Sequence, residues 1–244
     1  MDTDKDGLPG PLFSMQGWGT QLSAGGSGLP PCPPEHLQVR RWLSPFLLTC
    51  SIYFLLWIPE DQPSWLGALI KCLPVLCLAV FLWAVSPVGS YAHLLQVALL
   101  CSALGDTFLI WHETFLYGMA AFAVAHLFYL AAFGVSPLRP GLLLAVVPVF
   151  VVFSGVLLLH LEEDMVLPVV AYGLILSAMV WRGLARGGSA GWGAVLFALS
   201  DGVLAWDNFV QPLSNARLLT MATYYAAQTL IALSALKNPG LKTN

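Results

Sequence analysis

Four ionisable side chains of this 244-residue chain fall inside long apolar runs: Lys71, Asp106, Asp201 and Asp207. A charged group within such a run is costly to bury, so each requires a partner, a proton or a wet cavity. Two carboxyl groups facing each other in a low dielectric do not both ionise, because desolvation and mutual repulsion oppose the second charge. One then donates a proton and the other accepts one, which suits acid–base hydrolysis or proton-coupled transport. Asp106 and Asp201 have the strongest claim, since each follows a small residue in a matched setting, Ala103-Leu104-Gly105-Asp106 and Ala198-Leu199-Ser200-Asp201. Neither has a structural reason to be charged. Lys71 either balances one of these acids or snorkels to the nearer interface. Asp207, in Trp206-Asp207-Asn208, reads equally as an interfacial residue, and His126, among Ala, Phe and Leu, as a hydrogen-bonded core group. Tyr224, Tyr225 and Gln228 complete the polar set, the tyrosines being open to a packing role.

The elements that must position these groups follow from composition. Hydrophobic residues make up 58% of the chain and charged residues 9%, with a mean hydropathy of +0.77, whereas soluble domains are near a quarter charged. Such a composition describes a polytopic membrane protein. Eight apolar segments, about 42–58, 65–85, 92–111, 115–133, 141–160, 165–181, 190–210 and 217–236, each approach the length that spans hydrocarbon. Spans must be helical, since each backbone satisfies its own polar groups in lipid. The predicted fold class is therefore all-α, a polytopic bundle of eight transmembrane helices, with Pro45, Pro74, Pro148 and Pro168 inside segments and expected to kink them. Three divisions are expected: a Pro/Gly-rich cytosolic tail without a cleaved leader over residues 1–38, the eight-helix transmembrane domain that holds these acids over 39–238, and a short cytosolic tail over 239–244.

Charge distribution tests the count of eight. With eight segments one side holds Lys5, Arg40, Arg41, Arg139, Arg182, Arg186, Lys237 and Lys242, and the other holds only Arg217 among basic residues, with Glu60, Asp61, Glu113, Glu162, Glu163 and Asp164. The positive-inside rule then places both termini in the cytosol. Threaded this way, Lys71, Asp106, Asp201 and Asp207 all lie in the half of the bilayer away from the cytosol, with Tyr224, Tyr225 and Gln228 at similar depth and His126 nearer the middle. Asp201 and Asp207 are six residues apart, roughly 9 Å of rise and about 120° of rotation, so they cannot both face one spot. An internal echo points to a four-plus-four parallel repeat. Ala-Leu-small-Asp recurs in segments three and seven, Met119-Ala120 and Ala125-His126 match Met221-Ala222 and Ala227-Gln228, and Leu73-Pro74-Val75 matches Leu167-Pro168-Val169. In such folds the site tends to lie where the repeats meet.

Other chemistries are poorly supplied. The net charge of −3 and the scattered basic residues give no footprint for nucleic acid. There is no His-Glu-x-x-His, no zinc-type Cys or His spacing, no Gly-x-Ser-x-Gly elbow, and Gly187-Gly188-Ser189-Ala190-Gly191 is not a nucleotide-binding signature. The five cysteines, Cys32 in the tail and Cys50, Cys72, Cys77 and Cys101 in apolar segments, show no paired or metal-type spacing. No metal site and no cofactor is expected.

Lys71-x-x-Pro74 in the second segment, Ala103-Leu104-Gly105-Asp106 in the third, Ala125-His126 in the fourth, Leu199-Ser200-Asp201 in the seventh and Tyr225-Ala226-Ala227-Gln228 in the eighth together resemble the lysoplasmalogenase family. The resemblance covers the bundle from about Arg41 to Lys237 and excludes the tail. It implies a membrane enzyme, in animals typically of the endoplasmic reticulum, that hydrolyses the vinyl ether of lysoplasmalogens to a fatty aldehyde and glycerophosphoethanolamine or glycerophosphocholine. The family's aspartate pair would fall on Asp106 and Asp201, with Lys71, His126, Asp207, Tyr225 and Gln228 in binding or supporting roles. The implied partner is a lysophospholipid dissolved in the bilayer, and assembly into a homo-oligomer is left open. The alternatives are a proton-coupled or lipid-flipping transporter using the same acids, and a non-catalytic lipid-binding membrane protein. Aldehyde release from detergent-solubilised protein separates the enzyme from both.

Overall fold

The computed structural model describes residues 35–57, 63–85 and 89–236, with side chains from residue 38 onward. Those residues form eight α-helices: α1 (Glu35–Leu56), α2 (Trp65–Val85), α3 (Ser90–Phe108), α4 (Phe115–Phe133), α5 (Leu143–Leu158), α6 (Glu163–Arg186), α7 (Gly188–Phe209) and α8 (Ala216–Ser234). Short 3-10 turns at His112–Thr114 and Pro140–Leu142 lead into α4 and α5. Each helix matches one predicted apolar segment, and the architecture is all-helical. The expected tails lie outside the described residues, except that α1 begins at Glu35, inside the segment assigned to the first tail.

Five stretches are long and apolar enough to cross a membrane: Trp65–Val85, His112–Phe133, Pro140–Leu158, Glu163–Arg186 and Gly188–Phe209. They fit a multi-pass membrane protein. The other three helices, α1, α3 and α8, carry more polar side chains, and α3 and α8 bring several of these to the interior, among them Ser102, Asp106, Thr220 and Gln228. Large apolar side chains lie outside instead, including Leu144, Val149, Val152, Leu167 and Trp192. An aqueous exterior would not tolerate that arrangement, and hydrocarbon favours it.

One boundary differs from the apolar pattern for a definable reason. The sixth segment was expected to end near residue 181, yet α6 continues to Arg186. Arg182 does not stop it, because the guanidinium folds back on the α4–α5 connection. Its Nε donates to Gly134 O at 2.6 Å, and one terminal nitrogen donates to Pro137 O at 2.8 Å and Leu138 O at 3.2 Å. A buried cation with three carbonyl acceptors is compatible with a continuing helix.

Packing is closest between α3 and α4 and between α7 and α8, with α2 on α3, α1 on α2 and α6 on α7 next. Small residues permit the close approaches. A Cβ placed on Gly193 of α7 would lie 2.6 Å from Ile231 Cγ1 and 3.0 Å from Ala227 O of α8, whereas one on Gly155 of α5 would meet nothing within 4 Å. Gly193→Ala is therefore expected to destabilise the detergent-solubilised protein by about 1–3 kcal/mol through overpacking. Gly155→Ala should leave it unchanged or slightly more stable, as helix propensity favours alanine. Thermal unfolding of the two variants checks the pair, and equal shifts would remove the close α7–α8 contact as the cause.

Candidate functional site

The recurring small-Asp dipeptide has a geometric basis. Gly105 faces α4 so closely that a Cβ there would lie 2.6 Å from the Phe122 ring. Ser200 faces α8, its hydroxyl donating to Thr220 O at 2.9 Å. The next residue along a helix is rotated by about 100°, so in each case the small residue seats the helix on its neighbour and the acid turns off that contact. Asp106 and Asp201 both line one cavity of about 440 Å³. It lies at the end of the bundle where α2, α4 and α8 begin and α3 and α7 finish, with the turn before α4 at its mouth.

The two acids sit in different company. Asp106 is almost fully buried, at 2% exposure. One carboxylate oxygen accepts from the Tyr224 hydroxyl at 2.7 Å, and the other stands 4.0 Å from Lys71 Nζ. Asp201 has no lysine or arginine within ion-pair distance among the described residues. Its Oδ2 accepts from the Tyr172 hydroxyl of α6 at 2.6 Å and lies 3.7 Å from His126 Nε2, beyond a normal hydrogen bond.

The remaining sequence-selected residues divide. Lys71 and Asp207 line the cavity with the two acids. Asp207 is also structural, its Oδ1 accepting from the Leu213 amide at 2.7 Å and so fixing the α7–α8 connection. His126, Tyr225 and Gln228 do not line it. His126 is wholly buried behind Asp201, its ring edge-on to Tyr172 and Phe197 at 5.4 and 4.7 Å between centroids. Tyr225 donates to the backbone carbonyl of Lys71 at 2.8 Å, so α8 pins α2 at the residue that carries the ammonium. Gln228, also fully buried, accepts from the Tyr129 hydroxyl.

Sequence reasoning passed over Tyr172 and placed Arg217 among loop charges. Arg217 lines the cavity mouth, its Nε donating to Tyr53 OH at 3.2 Å and its guanidinium lying 4.4 Å from the Trp57 ring. Its solitary position among the acids of its side was the available signal. Tyr172 carried a weaker one, a lone phenol in an apolar helix, whose hydroxyl needs a partner when buried. Among the described residues no three His, Cys, Asp or Glu side chains gather as a metal site.

Fold and site together define a helical membrane protein built round a polar cavity with two acids in its wall. The chain belongs to the YhhN family, whose sequence profile matches residues 66–235. It is 62% identical to the lysoplasmalogenase TMEM86B of Mus musculus over 100% of both chains. Identity to the lysoplasmalogenase TMEM86B of Homo sapiens is 65%, over 87% of this chain and 94% of that protein. Identity to the lysoplasmalogenase TMEM86A of Homo sapiens is 39%, over 80% and 89% respectively. No solved structure matches the chain.

Proposed function

We propose that this protein is a lysoplasmalogenase, an intramembrane hydrolase that splits the vinyl ether of lysoplasmenylethanolamine or lysoplasmenylcholine into a fatty aldehyde and the glycerophospho alcohol. The supporting observation is the opening of Asp106 and Asp201, from separate helices, into one cavity in which, among the described residues, Asp106 alone has a lysine or arginine within ion-pair distance. The relatives' names agree with that reading. Lys71 favours an ionised Asp106 by direct attraction, which leaves Asp201 as the member that keeps the proton.

The reaction then proceeds with balanced proton traffic. Asp201 delivers its proton to the vinyl carbon beta to the ether oxygen, producing an oxocarbenium ion next to the Asp106 carboxylate. Water adds to that ion and gives a proton to Asp106, forming a hemiacetal. In collapse, the hemiacetal hydroxyl proton passes to Asp201 and Asp106 returns its proton to the departing glycerol oxygen, so aldehyde and alcohol leave and both acids regain their first state. The electrostatic logic parallels glycoside hydrolysis, where two carboxyl groups flank a similar cation. Tyr172 and Tyr224 hold the carboxyl groups in place, and Lys71 with Arg217 supplies positive charge for the lipid phosphate.

In this reading all eight helices span the bilayer, both termini face the cytosol, and the membrane is that of the endoplasmic reticulum. The halves α1–α4 and α5–α8 form a parallel repeat. Their like packing order and the approach of α4 to Asp201 and of α8 to Asp106 support it. The test is product analysis with purified detergent-solubilised protein and matched lysolipids bearing a vinyl ether, an alkyl ether or an acyl chain. Only the vinyl ether should react, and in heavy water the aldehyde should carry one deuterium on the carbon next to the carbonyl. Absence of aldehyde would instead favour a carrier or a lipid-binding protein.

A further inference from the structure

We infer that an apolar groove between α5 and α7, floored by α6, is the binding site for the hydrocarbon chain of the substrate, and that Asp201 is the wall it shares with the polar cavity. The inference rests on the hydrolase reading above and adds the path of the chain and the residues that limit it. The groove has a volume of about 770 Å³, in the range of ligand sites. It exists because α5 packs mainly on α6 and scarcely touches α7, Leu157 being the single buried residue of that helix. Its floor is a stripe along α6 of Val169, Tyr172, Leu176, Val180 and Leu184, spaced by three or four residues and so lying on one helix face.

The juxtaposition with the acid selects the occupant. Asp201 borders both the cavity and the groove, and the phenol that holds it, Tyr172, lines the groove. In a vinyl ether the carbon that takes the proton is the second of the chain, beta to the oxygen, and the rest of the chain continues from it, whereas the oxygen leads to glycerol and phosphate. A lysolipid reacting at Asp201 must therefore send its chain and its headgroup in opposite directions. Lys71 and Arg217 lie on the cavity side, and the groove wall is overwhelmingly apolar. Gly202 adds room beside the acid, because a Cβ there would meet only Phe153, at 3.8 Å. From Tyr172 to Leu184 the stripe runs about 18 Å at the rise of an α-helix, slightly more than the depth of one leaflet's hydrocarbon, about 15 Å. A single chain entering sideways from the bilayer keeps an apolar environment throughout.

Val195 of α7 lines the groove six residues from Asp201, roughly 9 Å along the helix axis. Val195→Trp should lower kcat/KM for a sixteen-carbon alkenyl lysolipid at least tenfold, while a six-carbon analogue, whose chain ends before that level, stays within about twofold. Leu174→Trp, on the outer face of α6, should alter neither. Equal losses for both chain lengths, or none, would overturn the assignment. Labelling gives a second reading that survives misfolding of a variant. A non-cleavable alkyl-ether lysophosphoethanolamine with a diazirine at its chain end, photolysed with the wild-type protein, should mark residues of α5, α6 and α7 that line the groove, and marking confined to α1–α4 would refute it. Wild-type turnover of the two alkenyl lipids separates the two claims. No aldehyde from either would end the hydrolase reading, whereas the uncleavable probe still reports where a chain binds.

Discussion

Asp201→Asn is expected to reduce aldehyde release by at least a thousandfold without loss of the folded protein. The amide keeps the shape of the acid and can still accept from Tyr172, but it has no proton to give to carbon. General acid catalysis contributes about 10²–10⁴ in typical enzymes, and a vinyl ether has no other route to the oxocarbenium ion at neutral pH. Asp106→Asn should fall to a similar level for a different reason: the cation would then form beside a neutral amide and an unbalanced Lys71 ammonium. Turnover of lysoplasmenylethanolamine by the monodisperse purified variants is the measurement. Near-normal activity in either removes that residue from the mechanism.

Lys71→Met should strike both stability and rate. Breaking a buried ion pair from one side leaves the other charge uncompensated, typically at 3–5 kcal/mol. Because Lys71 also lines the polar cavity and its side chain is 14% exposed, water relieves part of that cost and about 2 kcal/mol is expected. The sharper expectation concerns the double variant. Lys71→Met combined with Asp106→Asn removes both charges, so it should unfold at a higher temperature than Lys71→Met alone, though it remains inactive. Strict additivity of the two substitutions in thermal unfolding would show that the 4.0 Å pair carries no coupling.

Much of this molecule is legible in its sequence because lipid punishes exceptions. Eight apolar runs gave eight helices, with α2 and α4 matching at both ends, since span length and helical closure of the backbone leave few alternatives. The aspartates were conspicuous for the same reason. What stayed hidden depends on which way a side chain turns. His126, Tyr225 and Gln228 are polar residues at plausible depth, yet rotation and packing put them behind the cavity wall, where Tyr225 secures the Lys71 backbone and Gln228 meets Tyr129. Tyr172 gave little warning because a phenol in an apolar helix resembles interfacial decoration until its hydroxyl is seen on Asp201. Arg182 misled in the other direction, since nothing local in α6 announces the three carbonyls that receive it. The groove was unreadable in principle: α5 is apolar apart from Ser154, and only its distance from α7 makes a site.

The surroundings of both acids cross between the two halves of the chain. Asp106 belongs to the first four helices but takes its phenol from α8, and Asp201 belongs to the last four but has the imidazole of α4 at its back. A polypeptide severed between Gly134 and Gly141 would give two fragments, each owning one acid and lacking part of that acid's surroundings. On the proposed mechanism neither fragment is expected to turn over substrate by itself, and activity should return only when the two re-associate.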